Sequence, residues 1–250
     1  SGGVSAALRR AKPNPICDLH VGFASILVMG LWMGHRQGDK VPSNNAKADD
    51  IRDPFVGDAG LAVHWADLSL KGTLVAARKR YILSKVGEAG LEQVRAQLTE
   101  ELAATLVEPP PPSLWLPMNT MVEIDRAIDN VVMQDGFEQW IDFGGESARY
   151  DLNKFYKNIM RLAGQSFVVR GLPVAFKMYF SKGKLDINEI SDGRCVIRLQ
   201  DVVLPRYFCA GGIVGWALAF LEEARSVRPH ANHVTCMHHG DSNCSYELRW

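Results

Sequence analysis

Hydrophobic positions along the chain repeat first at helical spacing and later at strand spacing. In residues 70–87 (LKGTLVAARKRYILSKVG), Leu74, Ala77, Tyr81 and Ser84 share one stripe, while Arg78, Lys79 and Lys85 fall elsewhere. The basic run at 77–80 therefore reads as the wet face of a helix that Gly87 stops. A second helix is predicted over 90–107, where Leu91, Val94, Leu98, Leu102 and Leu106 recur. The run EPPPPS at 108–113 breaks the chain, because proline cannot continue a helix. Helix resumes over 114–133 with Pro117 near its first turn and Met121, Ile124 and Ile128 on one side. Further helices are expected at 135–148, 151–163 and 166–180.

The period then changes. KLDINEIS at 184–191 sets Leu185, Ile187 and Glu189 against Asp186, Asn188 and Ile190, an imperfect alternation, and CVIRLQDVVL at 195–204 is rich in β-formers. Residues 206–225 are apolar on nearly every face, which predicts a buried helix. Two short strands, NHVTC and CSYELRW, close the chain around MHHGDSN. Helices followed by an antiparallel sheet with one late helix make an α+β domain, the helices packed on the sheet.

This domain is expected to span 61–250, with 1–60 as an N-terminal extension. Residues 36–60 are polar, rich in Asp and Asn and without periodicity, as in a linker. The apolar run at 20–34 follows Arg9, Arg10 and Lys12 and resembles a signal-peptide core. It is too short for a stable membrane span, and no small-residue cleavage site follows, so it reads as a buried element.

Charge adds little. Twenty-eight basic residues balance twenty-eight acidic ones, so no global field draws nucleic acid or an anionic membrane, and no direct nucleic-acid contact is expected. Five cysteines in 250 residues do not make a secreted disulfide scaffold; a reducing, cytoplasmic setting is expected.

The cysteines nevertheless carry the main candidate chemistry. In a hairpin over 232–250, Cys236 and Cys244 lie at opposite ends of a short loop, near enough to share an ion. A tetrahedral zinc site needs two more N or S ligands. His233 is the natural third, although its odd offset from Cys236 puts it on the other face of a regular strand. Cys209, on the buried helix, is the fourth if that helix packs on the hairpin. Three readings stand at this level: a closed Cys₃His zinc site, inert buried thiols, or a cross-strand disulfide. His238 and His239 read as solvated turn residues. No G-x-S-x-G, H-E-x-x-H, C-x-x-C or P-loop occurs, and the sequence shows no acid, base or nucleophile constellation, so no enzyme activity is expected. His64 and Asp67 in HWAD have no evident nucleophile partner. Gly211, Gly212 and Gly215 read as sites of close helix packing.

Cys236-x7-Cys244 with Gly240-Asp241 between, then Tyr246-x-Leu248 and Trp250, resembles the end of 4-vinyl-reductase-type ligand-binding domains. The chain is more closely similar to an uncharacterised bacterial family of that fold in Lys71-Gly72, in Leu114-Trp115-Leu116-Pro117 and in Gly145-Glu146-Ser147-Ala148. The resemblance covers about residues 65–250. It implies the fold shared by haem-dependent nitric-oxide-binding domains and Golgi transport-tethering subunits. Phenol sensors of this type hold a structural zinc with three cysteines and a glutamate. By that resemblance Cys209, Cys236 and Cys244 match the cysteines, and His233 stands at the glutamate position.

The resemblance further implies a non-catalytic sensory domain binding a small hydrophobic ligand, signalling through a homodimer or a protein partner. It places Phe167, Phe176, Met178, Tyr179, Tyr207, Phe208 and Trp216 around the ligand cavity, though these residue types also build cores. The alternative is an interaction or scaffold module like the tethering subunits, and an enzyme acting on an aromatic or a tetrapyrrole is a further reading. The proximal histidine and the Tyr-x-Ser-x-Arg clamp of the haem domains are missing, so no haem is expected.

Overall fold

The computed structural model describes residues 55, 65, 67–152, 154–191 and 193–250. The apolar run at 20–34 and nearly all of the expected extension lie outside the described residues. Among those described, seven α-helices and a four-stranded antiparallel sheet follow the α+β order that the periodicity predicts, and a two-stranded antiparallel sheet among the first helices is added to it.

β1 (Ser69–Lys71) leads into α1 (Thr73–Arg95). Gly87, at φ 67° and ψ −167°, kinks this helix rather than ending it, a conformation that a side chain would strain. The helix expected over 90–107 is consequently divided. Its first turns complete α1, and α2 (Glu100–Val107) restarts where the Thr99 side chain accepts a hydrogen bond from the Leu102 N–H. Past the prolines, β2 (Trp115–Pro117) pairs with β1, and Pro117 then begins α3 (Met118–Val131).

Next come α4 (Glu138–Asp151), α5 (Lys154–Ala163) and α6 (Gln165–Tyr179). The late apolar segment forms one π-helical turn, Phe208–Gly212, running into α7 (Ile213–Glu223). α7 lies backbone to backbone on α4. A Cβ at Gly215 would sit 1.8 Å from the Ile141 carbonyl oxygen, and one at Gly144 would sit 2.2 Å from that of Gly212. These glycines serve close packing, as the sequence indicates.

The second sheet holds β3 (Lys184–Ser191), β4 (Arg194–Gln200), β5 (His230–Thr235) and β6 (Cys244–Arg249) in the order β3-β4-β6-β5. The imperfect alternation in β3 has a physical cause. A bulge at Asn188 shifts the register, so Leu185, Ile187 and Ile190 face Leu199, Ile197 and Cys195 of β4. Those β4 residues, with Tyr246 and Leu248 of β6, are fully buried beneath the helices.

The basic run at 77–80 is not wholly a wet face. Arg78 is 0% exposed. It lies at i+4 from Leu74 and i−3 from Tyr81, on the core stripe itself. Its Nε and Nη2 donate to the two carboxylate oxygens of Asp125, each at 2.6 Å, and Nη1 donates to the Leu74 carbonyl at 3.0 Å. The Tyr207 hydroxyl donates to Asp125 as well, at 2.6 Å. Burial works against the guanidinium charge, and Asp125 outweighs it, holding the Arg78 pKa above its ordinary value. Phe55, from the stretch expected to be a polar linker, is buried with its ring 4.8 Å from that of Tyr207.

Candidate metal centre and ligand cavity

The π-helical turn brings Cys209 down onto the C-terminal hairpin. Cys236 follows β5 directly and caps the turn Met237–His239, and Cys244 opens β6. Gly240 takes the left-handed conformation, φ 92°, that closes this turn, and the Asp241 carboxylate accepts the Cys236 N–H at 2.7 Å. The Met237 N–H donates to the Cys244 sulfur at 3.5 Å, a contact that favours negative charge on the thiolate.

His233 joins these thiols because β5 is bulged. It pairs with Tyr246, whereas Thr235 pairs with Ser245, so Val234 is the extra residue. An offset of three thereby behaves as an even one, and His233 and Cys236 share a face. The imidazole stacks on Tyr246 at 4.8 Å between centroids and 16° between planes, which fixes its orientation. One donor atom each from Cys209, His233, Cys236 and Cys244 lies within 4.8 Å of every other. Tetrahedral bonds of about 2.3 Å to sulfur and 2.0 Å to nitrogen need ligand separations near 4 Å, so the donor set fits zinc in type, number and spacing.

The three thiols act on one another. Hydrogen bonds from Cys209 and Cys244, against the opposing effect of burial, hold the Cys236 thiol far below its ordinary value. Cys209 is pushed well up by its hydrogen bond to Cys236. For Cys244, the hydrogen bond with Cys209 pulls downward, yet Cys236 and burial carry it up to about 12. His233 Nε2 is buried and lacks a conventional hydrogen-bond partner. A buried polar atom left in that state costs about 1–3 kcal/mol unless something else engages it. All four described cysteines are free thiols rather than disulfide partners.

His238 is half-buried, its Nε2 2.7 Å from the Leu204 carbonyl oxygen, whereas His239 is exposed with its Nε2 3.2 Å from Arg206. Only the second fits the expectation of a solvated turn residue.

On the other side of the π-helical turn lies a cavity of about 40 Å³. Phe176 and Tyr179 of α6, Phe208 of the turn and Trp216 of α7 line it, four of the seven residues expected there. Phe167, Met178 and Tyr207 do not. Phe167 and Met178 are nine residues before and two after Phe176, each about half a turn round the helix, and so lie on the opposite face. Tyr207 points instead to Asp125. The sequence reading missed the polar wall, formed by Arg78, Ser147 and Asp151, and the apolar residues Leu74, Phe143, Phe180 and Ile213. Ser147 and Asp151 are four apart on α4, a spacing that puts both on one helical face once α4 is recognised.

No family model matches the chain, and no curated protein matches it either. Solved structures do. An Fe(II), unliganded H-NOX protein variant from K. algicida aligns at 9% identity over 72% of this chain and 96% of that one, with a TM-score of 0.49. A structure from work on modulating haem redox potential through protein-induced porphyrin distortion aligns at 12% identity, over 72% and 100%, with a TM-score of 0.50. An H-NOX domain from Shewanella oneidensis in the Fe(II)CO state aligns at 14% identity, over 72% and 98%, with a TM-score of 0.45. What is shared at these identities is the fold.

The expectation of no haem is overturned by the likeness at a TM-score of 0.50, since that structure comes from work on haem in a protein that distorts the porphyrin. The missing motif spoke only to one mode of ligation. In this chain the cavity lining contains no histidine or cysteine, Tyr179 is the one side chain there of a type that ligates haem iron, and 40 Å³ admits a porphyrin only if the walls part. No described helix is long and apolar enough to cross a membrane.

Proposed function

We propose that the described domain is a non-catalytic sensory module of the 4-vinyl-reductase type, binding a small, mainly apolar molecule in the cavity beside a structural zinc. One observation carries this reading. A single π-helical turn supplies Cys209 to the metal cluster and Phe208 and Gly212 to the cavity wall. Zinc held by Cys209, His233, Cys236 and Cys244 fixes that wall, and ligand entry on its other side strains or relaxes the same turn. A pre-existing equilibrium between two wall positions is then what the ligand shifts. Four free thiols suit a reducing, cytoplasmic compartment.

The test is metal analysis of protein purified without a chelating tag, together with its absorption spectrum. About one zinc per chain, lost in Cys244→Ala, is the expected result. Metal-free protein with full thermal stability would remove the zinc from the reading. A Soret band would identify haem as the ligand instead of a smaller molecule.

A second reading, an interaction module, is favoured by one surface. Phe167, Val174 and Met178 form a stripe along the outer face of α6, and Leu162 beside it is 90% exposed. Light scattering tests the surface: a dimer that Leu162→Lys or Val174→Lys dissociates makes it an interface, while a monomer leaves the interaction reading without its surface.

A further inference from the structure

The cavity has an asymmetry that an apolar ligand alone does not explain. Most of its lining is aromatic: Phe143, Phe176, Phe180, Phe208 and Trp216. Further along the same face of α4 as Phe143 it presents a mostly buried carboxylate, Asp151, whose Oδ1 accepts from the Thr73 hydroxyl at 3.0 Å and which the Tyr179 hydroxyl also faces. Both partners are neutral, and no cation pairs with Asp151 among the described residues. Arg78 reaches the same cavity, but its charge is taken up by Asp125. Ser147 Oγ, one turn before Asp151 on the same face, is buried without a hydrogen-bond partner. Burial raises the Asp151 pKa against the two hydroxyls, so the unpaired site works against this carboxylate's charge.

Building on the ligand-binding reading, we infer that the cavity takes a small organic cation. Its ammonium head sits against Asp151 and Ser147, and its short apolar body lies among the aromatic rings. An ammonium brings three donors, enough for the Asp151 carboxylate and the idle Ser147 oxygen. Its charge also meets the negative faces of the rings, an attraction strengthened by the dry surroundings. An anion could accept from the Ser147 hydroxyl, but it would meet the Asp151 carboxylate at like charge. A neutral alcohol satisfies Ser147 but leaves the carboxylate uncompensated. The volume has room for about three water-sized groups, which sets the scale at a short-chain amine.

The experiment compares three probes of three carbons each, propylammonium, 1-propanol and propionate, by NMR titration of the full chain. Propylammonium is expected to bind about tenfold tighter than 1-propanol, with propionate weakest. Asp151→Asn keeps both hydroxyl partners while removing the charge, and should equalise ammonium and alcohol without lowering the Tm. If 1-propanol binds as tightly as propylammonium, the cation assignment is overturned and the apolar-ligand reading stands. If none of the three binds, both fall. Should Asp151→Asn fail to fold, Ser147→Ala takes its place, with ammonium affinity expected to fall severalfold and alcohol affinity less. An unchanged ammonium preference in that variant overturns the proposed head-group contact.

Discussion

Two buried polar centres take residues two positions apart, Tyr207 and Cys209, and differ in what they lack. Tyr207 closes the Arg78–Asp125 network, in which both carboxylate oxygens are engaged and Arg78 is held at Nε, Nη1 and Nη2. Cys209, two residues on, belongs to the Cys₃His cluster, where three sulfurs share protons and a histidine nitrogen is idle. The first centre is complete within the protein. The second has the composition and spacing of a site finished by an ion. Satisfaction of hydrogen bonds, rather than burial or charge, is thus what separates a structural polar centre from a binding one.

Breaking the complete centre should have the largest effect. Arg78→Met takes the cation away from Asp125 in the core and leaves it only the Tyr207 hydroxyl, a loss of about 3–5 kcal/mol. The double variant Arg78→Met/Asp125→Leu should regain much of that, since it removes both charges and strands only the Tyr207 hydroxyl. Urea denaturation of the two variants checks this, and equal losses would show that the charges are not the stabilising pair.

Completing or emptying the second centre comes next. With free zinc about a hundredfold above its dissociation constant, binding to the folded chain alone adds about 2.7 kcal/mol. Chelation should lower the Tm accordingly and destabilise hydrogen exchange in β5 and β6 first. Cys244→Ser should reproduce the chelated value and respond no further to chelator. A variant still sensitive to chelator would place the metal elsewhere.

The sequence makes the second centre partly visible and leaves the first one hidden. Element types follow from periodicity, and Cys209, Cys236 and Cys244 were identifiable because thiols near a hairpin have few roles. His233 was harder, since strand alternation argued against it until the bulge at Val234 restored the face. The same device, at Asn188, explains why β3 looked irregular. Bulges are set by cross-strand register, which one strand's sequence does not contain. Arg78 was misread for a different reason. Leu74, Arg78 and Tyr81, and on α3 Met121, Asp125 and Ile128, each run at i, i+4 and i+7, so the spacing marks both charges as core positions. Residue type argued for surface, and the pairing that reverses it is a tertiary fact. The cavity's outline depends on helix rotation, which is why, of two residues expected there, Phe176 lines it and Phe167 does not.

A smaller effect tests the helix contact that holds the π-helical turn between the two centres. Gly215→Ala puts a methyl carbon within 1.8 Å of the Ile141 carbonyl oxygen, so α4 and α7 must part. Overpacking of this kind costs about 1–3 kcal/mol. Because Cys209 and Phe208 ride on the same segment, zinc affinity and cavity volume should both change. A loss of stability with zinc affinity untouched would show that the turn is held independently of the α4–α7 contact.

The smallest effect lies on the outer face of the sheet, where the same charge chemistry meets water. Glu247 accepts from the Arg194 Nε at 2.5 Å and the Arg249 Nη2 at 2.8 Å. Burial pushes its pKa up, but these guanidinium groups outweigh it and leave it below the ordinary glutamate value. A depressed folded pKa contributes stability that is present above the unfolded value and is lost as pH falls through the folded one. Glu247→Gln should therefore cost no more than about 1 kcal/mol at neutral pH, and the difference from wild type should shrink as pH drops below about 4.3. Thermal melts across that range, at low and high salt, check it. A cost that persists in acid would mean that Glu247 matters through packing on β4, and the contrast between wet and buried charge would have to be redrawn on geometry instead of solvation.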